Sequence, residues 1–187
     1  MKLYGSLTSP FVRHCRVALA QTGQKFDFVL ADHAASLTGT PTHRVPYAEL
    51  ADGTLLHDSA AILKAIREQA GQPFFADVQD YDLFCLANTL LDTQVNLFLL
   101  NKDGVTAEQS SYVARQASRI EATLAALEAR QWQGDSALTD GELRLACYLS
   151  WASFRQLLDL QAYPNLRDLL ARADQQPLFA NTHPAMG

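Results

Sequence analysis

Two hydrophobic periodicities divide this chain. Up to about residue 72, short alternating stretches trade places with short helical ones; beyond that, only helical spacing recurs. Leu3-Tyr4-Gly5 reads as a strand. Ser9-Pro10 opens a helix, with serine as N-cap and proline at the first helical position, where a missing N–H costs nothing. Phe11, Cys15, Ala18 and Leu19 form its apolar face, and Gly23 closes it. Phe26, Phe28 and Leu30 alternate with Asp27 and Val29 as a strand does. A loop or short helix follows. Tyr47–Leu50 and Thr54–His57, joined through Asp52-Gly53, predict a hairpin. A second helix runs from Ser59 to Ala70 with Ala61, Ile62, Ala65 and Ile66 on one side.

Gly71-Gln72-Pro73 interrupts this α/β order. Leu83, Leu86, Ala87, Leu90 and Leu91 then mark one face of a helix over about Val78–Leu100. Val113, Ala117, Ile120, Leu124 and Leu127 mark the next, with Gly134 ending it or its exit loop. Thr139-Asp140-Gly141-Glu142 is a capping box, launching a helix that carries Leu143, Ala146, Leu149 and Trp151. A shorter helix follows Tyr163-Pro164-Asn165, and Pro177 and Pro184 frame an irregular tail. The pattern therefore predicts two domains: a small α/β domain over 1–72 and an all-α domain over 78–187.

Composition narrows the class. Of 187 residues, 48% are hydrophobic and 19% charged, which excludes a disordered chain. No apolar run reaches the roughly 18–20 residues of a membrane span. The opening MKLYGSLTSP lacks the apolar stretch of a secretory signal, so a cytoplasmic location is expected. The net charge of −5 is uneven: residues 1–75 carry 7 Lys/Arg against 6 Asp/Glu, and residues 76–187 carry 8 against 14. No basic patch points to nucleic acid. Cys15, Cys85 and Cys147 form no CxxC. No pair among the five histidines has the i, i+4 spacing of a metal site with a carboxylate nearby, so no metal is expected.

Three local features could carry chemistry. Ser9 stands at a helix N-terminus, where free N–H groups favour an anion. It either caps the helix alone or stabilises a sulfur anion. Thioredoxin-type redox proteins place CxxC at this turn; here the two positions hold Ser9 and Val12, which cannot form a disulfide. Val45-Pro46 precedes a strand, either as an ordinary trans edge proline or as a cis bond that turns the Val45 main chain toward a peptide-like ligand. Asp58-Ser59 begins the second helix, as a cap or as a cradle for an amino-acid end, with the hydroxyl and N–H on a carboxylate and Asp58 on an ammonium.

In order and spacing these three features resemble the glutathione S-transferase family: an S-P-x turn (Ser9-Pro10-Phe11), an R-V-P strand start (Arg44-Val45-Pro46), then Asp52-Gly53 and Asp58-Ser59-Ala60-Ala61-Ile62. The likeness extends to the capping box and helix start at Thr139–Ala146 and to the ending from Tyr163-Pro164-Asn165-Leu166 through Gln176–Thr182. It implies a thioredoxin-like N-terminal domain (β-α-β-α-β-β-α), an all-helical C-terminal domain and a homodimer. It further implies glutathione as co-substrate and attack of its thiolate on a small apolar electrophile. Carried over, Ser9 hydrogen-bonds the sulfur, the Val45 main chain beside a cis Pro46 pairs with the cysteinyl unit, and Asp58 and Ser59 hold the γ-glutamyl end. Arg44 and His43 lie near the glycyl carboxylate, and Phe11 belongs to the same glutathione-holding turn. Lowering a thiol pKa by about 2 units takes roughly 2.7 kcal/mol, within reach of a charge-assisted hydrogen bond plus a helix terminus.

Position 58 is Asp where most of the family has Glu, which shortens its reach. Thr8 is an alternative source of the hydroxyl. Tyr4, inside a strand, is expected to pack, and Cys15, Cys85 and Cys147 to be buried and inert. Asn96, Phe98 and Tyr112 are possible walls of the electrophile pocket. Two other outcomes remain open on the same fold: a glutathione-dependent isomerase or peroxidase, and a non-catalytic adaptor.

Overall fold

The computed structural model describes residues 1–132 and 137–186. Strand β1 (Lys2–Gly5) lies parallel to β2 (Asp27–Leu30) and antiparallel to β3 (Tyr47–Glu49), which pairs with β4 (Leu55–Leu56). The sheet order is β2-β1-β3-β4. Parallel neighbours need a crossover, and α1 (Pro10–Gln21) supplies it between β1 and β2. Gly23 ends α1 in the left-handed region (φ 65°), where a side chain is disfavoured; its N–H returns to Ala20 O and that of Gln24 to Leu19 O. The weak signal after Ala31 resolves into α2 (His33–Gly39), capped by Asp32, whose Oδ1 accepts from Ala35 N at 2.8 Å. After the β3–β4 hairpin, α3 (Ser59–Gln69) completes a thioredoxin-like arrangement.

The remainder is helical: α4 (Val78–Lys102), α5 (Ser111–Glu128), α6 (Asp140–Phe154), α7 (Pro164–Asp174) and α8 (Pro177–Ala180). The Thr139–Glu142 capping box forms as expected, with Glu142 N on Thr139 Oγ1 (3.2 Å) and Thr139 N on Glu142 Oε2 (3.1 Å). Helix α6 is buried on every side rather than along one stripe, so it is the axis of the helical core. Gly141 permits its closest approach to α4: a Cβ there would sit 2.7 Å from the Asp80 carbonyl oxygen, and Gly141 N instead donates to Asp80 Oδ1 at 2.9 Å.

Several expectations need correction. Helix α4 is long and apolar enough to cross a membrane by length and composition, although no such run was expected; here it packs against α5 and α6, burying Leu83, Ala87, Leu90, Leu91 and Leu97. Cys85 is exposed, because it lies off that buried stripe. The tail after Pro177 is not irregular: proline starts α8, and a 3-10 turn follows at Pro184–Met186. Gly134 lies outside the described residues.

Helix α1 joins the two halves. Cys15, Ala18 and Leu19 pack with Leu3, Ala48, Ile62, Leu63 and Ile66, while Val17 and Phe11 enter the helical core. Phe84 of α4 crosses the other way. Between the cores lies a buried polar layer. Arg13, fully engaged, donates from Nε to Thr182 Oγ1, from Nη1 to Ser150 Oγ and from Nη2 to Phe179 O, and lies 3.7 Å over the Phe179 ring. Arg67 meets Asp140 with two hydrogen bonds (2.9 and 2.8 Å) and also donates to Gln21 and Gln72. His14 contributes a third contact to Asp140, at 3.0 Å.

Candidate functional site

The turn after β1 is ordered by its own hydroxyls. Ser9 N donates to Ser6 O (3.1 Å), and Ser9 Oγ accepts from Val12 N (3.3 Å), capping α1. A hydroxyl that only accepts here keeps its O–H available to another group. The Thr8 hydroxyl lies 3.1 Å from Ser6 Oγ, a contact in which either oxygen can be the donor. Tyr4 packs as expected: it stacks on Tyr47 (4.5 Å between ring centroids) and sends its hydroxyl to Glu49. Cys15 is fully buried, and burial pushes its thiol pKa up to about 12, so it is not a thiolate at neutral pH. Burial likewise raises Cys147.

The Val45-Pro46 bond is cis. The β1–β3 ladder ends at Tyr4 opposite Tyr47, so the main chain of Val45 lies beyond the last paired rung. His43 is exposed with φ 52°, and its carbonyl accepts from Ser36 Oγ at 3.0 Å. Arg44 reaches across to α4, with Nη1 on Asp92 Oδ1 (2.7 Å) and Nη2 on Asn96 Oδ1 (3.4 Å). Beside this bridge, Asp92, Asn96, Leu100, Tyr112 and Gln116 line a cleft of about 400 Å³. Two of the three suggested pocket walls, Asn96 and Tyr112, therefore share a cleft. Phe98 does not; it packs edge-on against Trp151 at 5.8 Å, inside the helical core.

At the start of α3, Asp58 is the N-cap, with Oδ1 accepting from Ala60 N at 2.7 Å. Ser59 heads the helix and is buried, its Oγ accepting from Arg144 Nη2 at 3.0 Å. The Arg144 guanidinium is in turn 5.1 Å from the Phe11 ring centroid and 4.8 Å from that of Phe84. Phe11 thus joins the Ser9 turn to the floor beneath Ser59. Among the described residues, no group of three His, Cys, Asp or Glu is placed to hold a metal ion.

Family models match both halves of this chain: the glutathione S-transferase N-terminal domain over residues 3–74 and the C-terminal domain over 110–172. The chain belongs to the glutathione S-transferase family. Solved glutathione S-transferases superpose over nearly the whole chain. One, from Methylobacillus flagellatus with glutathione bound, is 26% identical with a TM-score of 0.85 and coverage of 98% of both chains. A glutathione transferase family member from Pseudomonas fluorescens, also with bound glutathione, gives the same values. The zeta-class bacterial maleyl pyruvate isomerase shares the fold at 20% identity, TM-score 0.80, over 100% of this chain and 98% of its own. No curated protein matches the sequence.

Within this family member the hydroxyl turn, the Val45-Pro46 segment and the α3 start come from three separate loops. Sequence reasoning missed what lies beneath them. Arg144, His14 and Arg67 gave no signal of burial, since charged residues on helices ordinarily face water. The one available hint was Arg144 itself, a lone arginine in the otherwise apolar run from Leu143 to Cys147.

Proposed function

We propose that the protein is a glutathione-dependent transferase, in which the glutathione thiolate attacks a small apolar electrophile. The observation that carries this reading is the Ser9 hydroxyl: it heads α1, takes a hydrogen bond from Val12 N, and retains its own O–H to donate to sulfur. An O–H donor and a helix N-terminus together favour thiolate over thiol, so the protein needs no general base and acts chiefly by positioning. In the chemical step the sulfur lone pair forms the new S–C bond, and the leaving group departs with its bonding electrons.

The remaining contacts follow from placement. The unpaired main chain of Val45 suits the cysteinyl unit, and Ser59 and Asp58 suit the γ-glutamyl end. Arg44 and His43 flank the glycyl side, with Arg44 having to leave Asp92 or share it. Residues 1–72 would then be the glutathione-binding domain and 78–187 the domain that receives the electrophile, in the cleft by Asn96 and Tyr112. A cytoplasmic homodimer is the proposed form. The exposed side chains of Leu55 on the sheet edge and of Val78 and Tyr81 at the start of α4 supply apolar surface for it.

The test is conjugation of a chromogenic aryl halide, with glutathione affinity measured by calorimetry. Ser9→Ala should lower kcat about 10- to 100-fold, by loss of one charge-assisted hydrogen bond, while glutathione still binds. Full turnover in Ser9→Ala would move the role to Thr8. No heat at millimolar glutathione would instead favour an adaptor.

A further inference from the structure

We propose that Arg144 is a positioning residue for the carboxylate end of bound glutathione: it holds the Ser59 oxygen from behind, leaves the Ser59 O–H for the ligand, and biases the site toward an anion. This rests on the reading above that Ser59 receives the γ-glutamyl end.

Arginine only donates, so in the 3.0 Å contact between Arg144 Nη2 and Ser59 Oγ the serine must be the acceptor. Ser59 therefore has one lone pair committed and its single O–H uncommitted by that contact. A hydroxyl normally rotates to suit any neighbour; here the buried guanidinium occupies one of its two lone pairs and turns the O–H away from Arg144, free to donate to a ligand.

The second observation is what Arg144 lacks. It is fully buried, yet among the described residues Nε and Nη1 have no hydrogen-bond acceptor. Its surroundings are the faces of Phe11 and Phe84 rather than a carboxylate. The acids nearest in influence are occupied: Asp140 is held by Arg67 and His14, and Asp58 is exposed and caps α3. A buried charge without a partner is costly, and an incoming carboxylate would relieve it. Aromatic faces satisfy a guanidinium only in part. A negative ligand group at the head of α3 meets the helix N–H groups, the Ser59 hydroxyl and this unmatched charge together.

The experiment compares wild type, Arg144→Met and Arg144→Lys against two ligands: glutathione, and the analogue in which hydrogen replaces the γ-glutamyl α-carboxylate (γ-aminobutyryl-cysteinyl-glycine). Calorimetry gives the affinities, and aryl halide conjugation gives KM and kcat separately. Arg144→Met should weaken glutathione binding and raise its KM about 10- to 50-fold, with kcat at saturation within about twofold. Its affinity for the analogue should equal that of wild type, and Arg144→Lys should recover part of the loss. In a Ser59→Ala background Arg144→Met should add little. Equal affinity for glutathione in wild type and Arg144→Met overturns the inference, as does a parallel loss for both ligands, which marks a merely structural role. Should Arg144→Met fail to fold, Arg144→Lys carries the same comparison, with a smaller loss confined to glutathione. Absence of glutathione binding by wild type would instead remove the functional reading beneath it.

Discussion

Three arginines are buried where the sheet-bearing half meets the helices, and they are treated in two ways. Arg13 and Arg67 have acceptors on every guanidinium nitrogen: two hydroxyls and a carbonyl for the first, a carboxylate and two amide oxygens for the second. Among the described residues Arg144 has a single acceptor, the Ser59 hydroxyl. Arg67 belongs to α3, as does Ser59, so the contrast runs along one helix. At its C-terminal end the charge is closed within the protein, and at its N-terminal end it is left open. A closed arginine fastens the two halves together. An open one, beneath a candidate ligand site, stores an unmet demand for an anion.

The sharpest way to break the contrast is to open the closed end. Asp140→Ala strands Arg67 in the interior and should cost about 3–5 kcal/mol in urea unfolding at neutral pH, whereas Arg144→Met, which removes a charge that has no carboxylate, should cost under about 1 kcal/mol. Equal losses would erase the distinction.

Acid should act on the closed end next. Burial, the largest influence, lowers the His14 pKa to about 4 from 6.5, with the Asp140 hydrogen bond working against it. Neutral His14 donates from Nε2 to Asp140 and, among the described residues, leaves Nδ1 without a partner. A depressed histidine pKa means that the unfolded chain binds more protons between pH 6.5 and 4. Its contribution is therefore whole above 6.5 and drains away as pH falls through that window, by about 3 kcal/mol. Burial pushes the Asp140 pKa up, but hydrogen bonds from His14 and Arg67 outweigh it and the net shift is downward, so protonation at lower pH weakens the fold in the same direction. Urea midpoints from pH 7 to 4 should show this slope in wild type and a much flatter one in His14→Gln. The smallest effect concerns the cap that delivers Asp140 to its place: Thr139→Ala should cost about 1 kcal/mol by thermal or urea unfolding, with Arg144 and the glutathione affinity untouched.

Much of the fold is legible without coordinates because its signals are local. Ser9, Asp58 and Thr139 cap α1, α3 and α6 through hydrogen bonds spanning two or three residues, and Asp52-Gly53 turns the β3–β4 hairpin within a similar distance. Of the stripe from Val113 to Leu127, Val113, Ile120, Leu124 and Leu127 are buried as the spacing predicts, while Ala117 is half-buried and Gln116 is buried beside it. Ser9, Val45-Pro46 and Asp58-Ser59 could be picked out for the same reason. Readings that depend on a distant neighbour fared worse. Cys85 shares an apolar segment with buried residues yet faces out, and Phe98 turns to Trp151 instead of the cleft.

Capping, turn and periodicity act over a few residues of chain, so the starts of α1, α3 and α6 and the β3–β4 turn were written in the sequence alone. Which charges are enclosed depends instead on partners far apart in the chain. Arg144 is 85 positions from Ser59, and Asp140 lies 73 from Arg67 and 126 from His14. A charged side chain on a helix looks the same in sequence whether it faces water or a neighbouring helix. The difference arises only when α6 is laid between α1 and α4, and the acceptors within reach then set whether each charge is closed or left open.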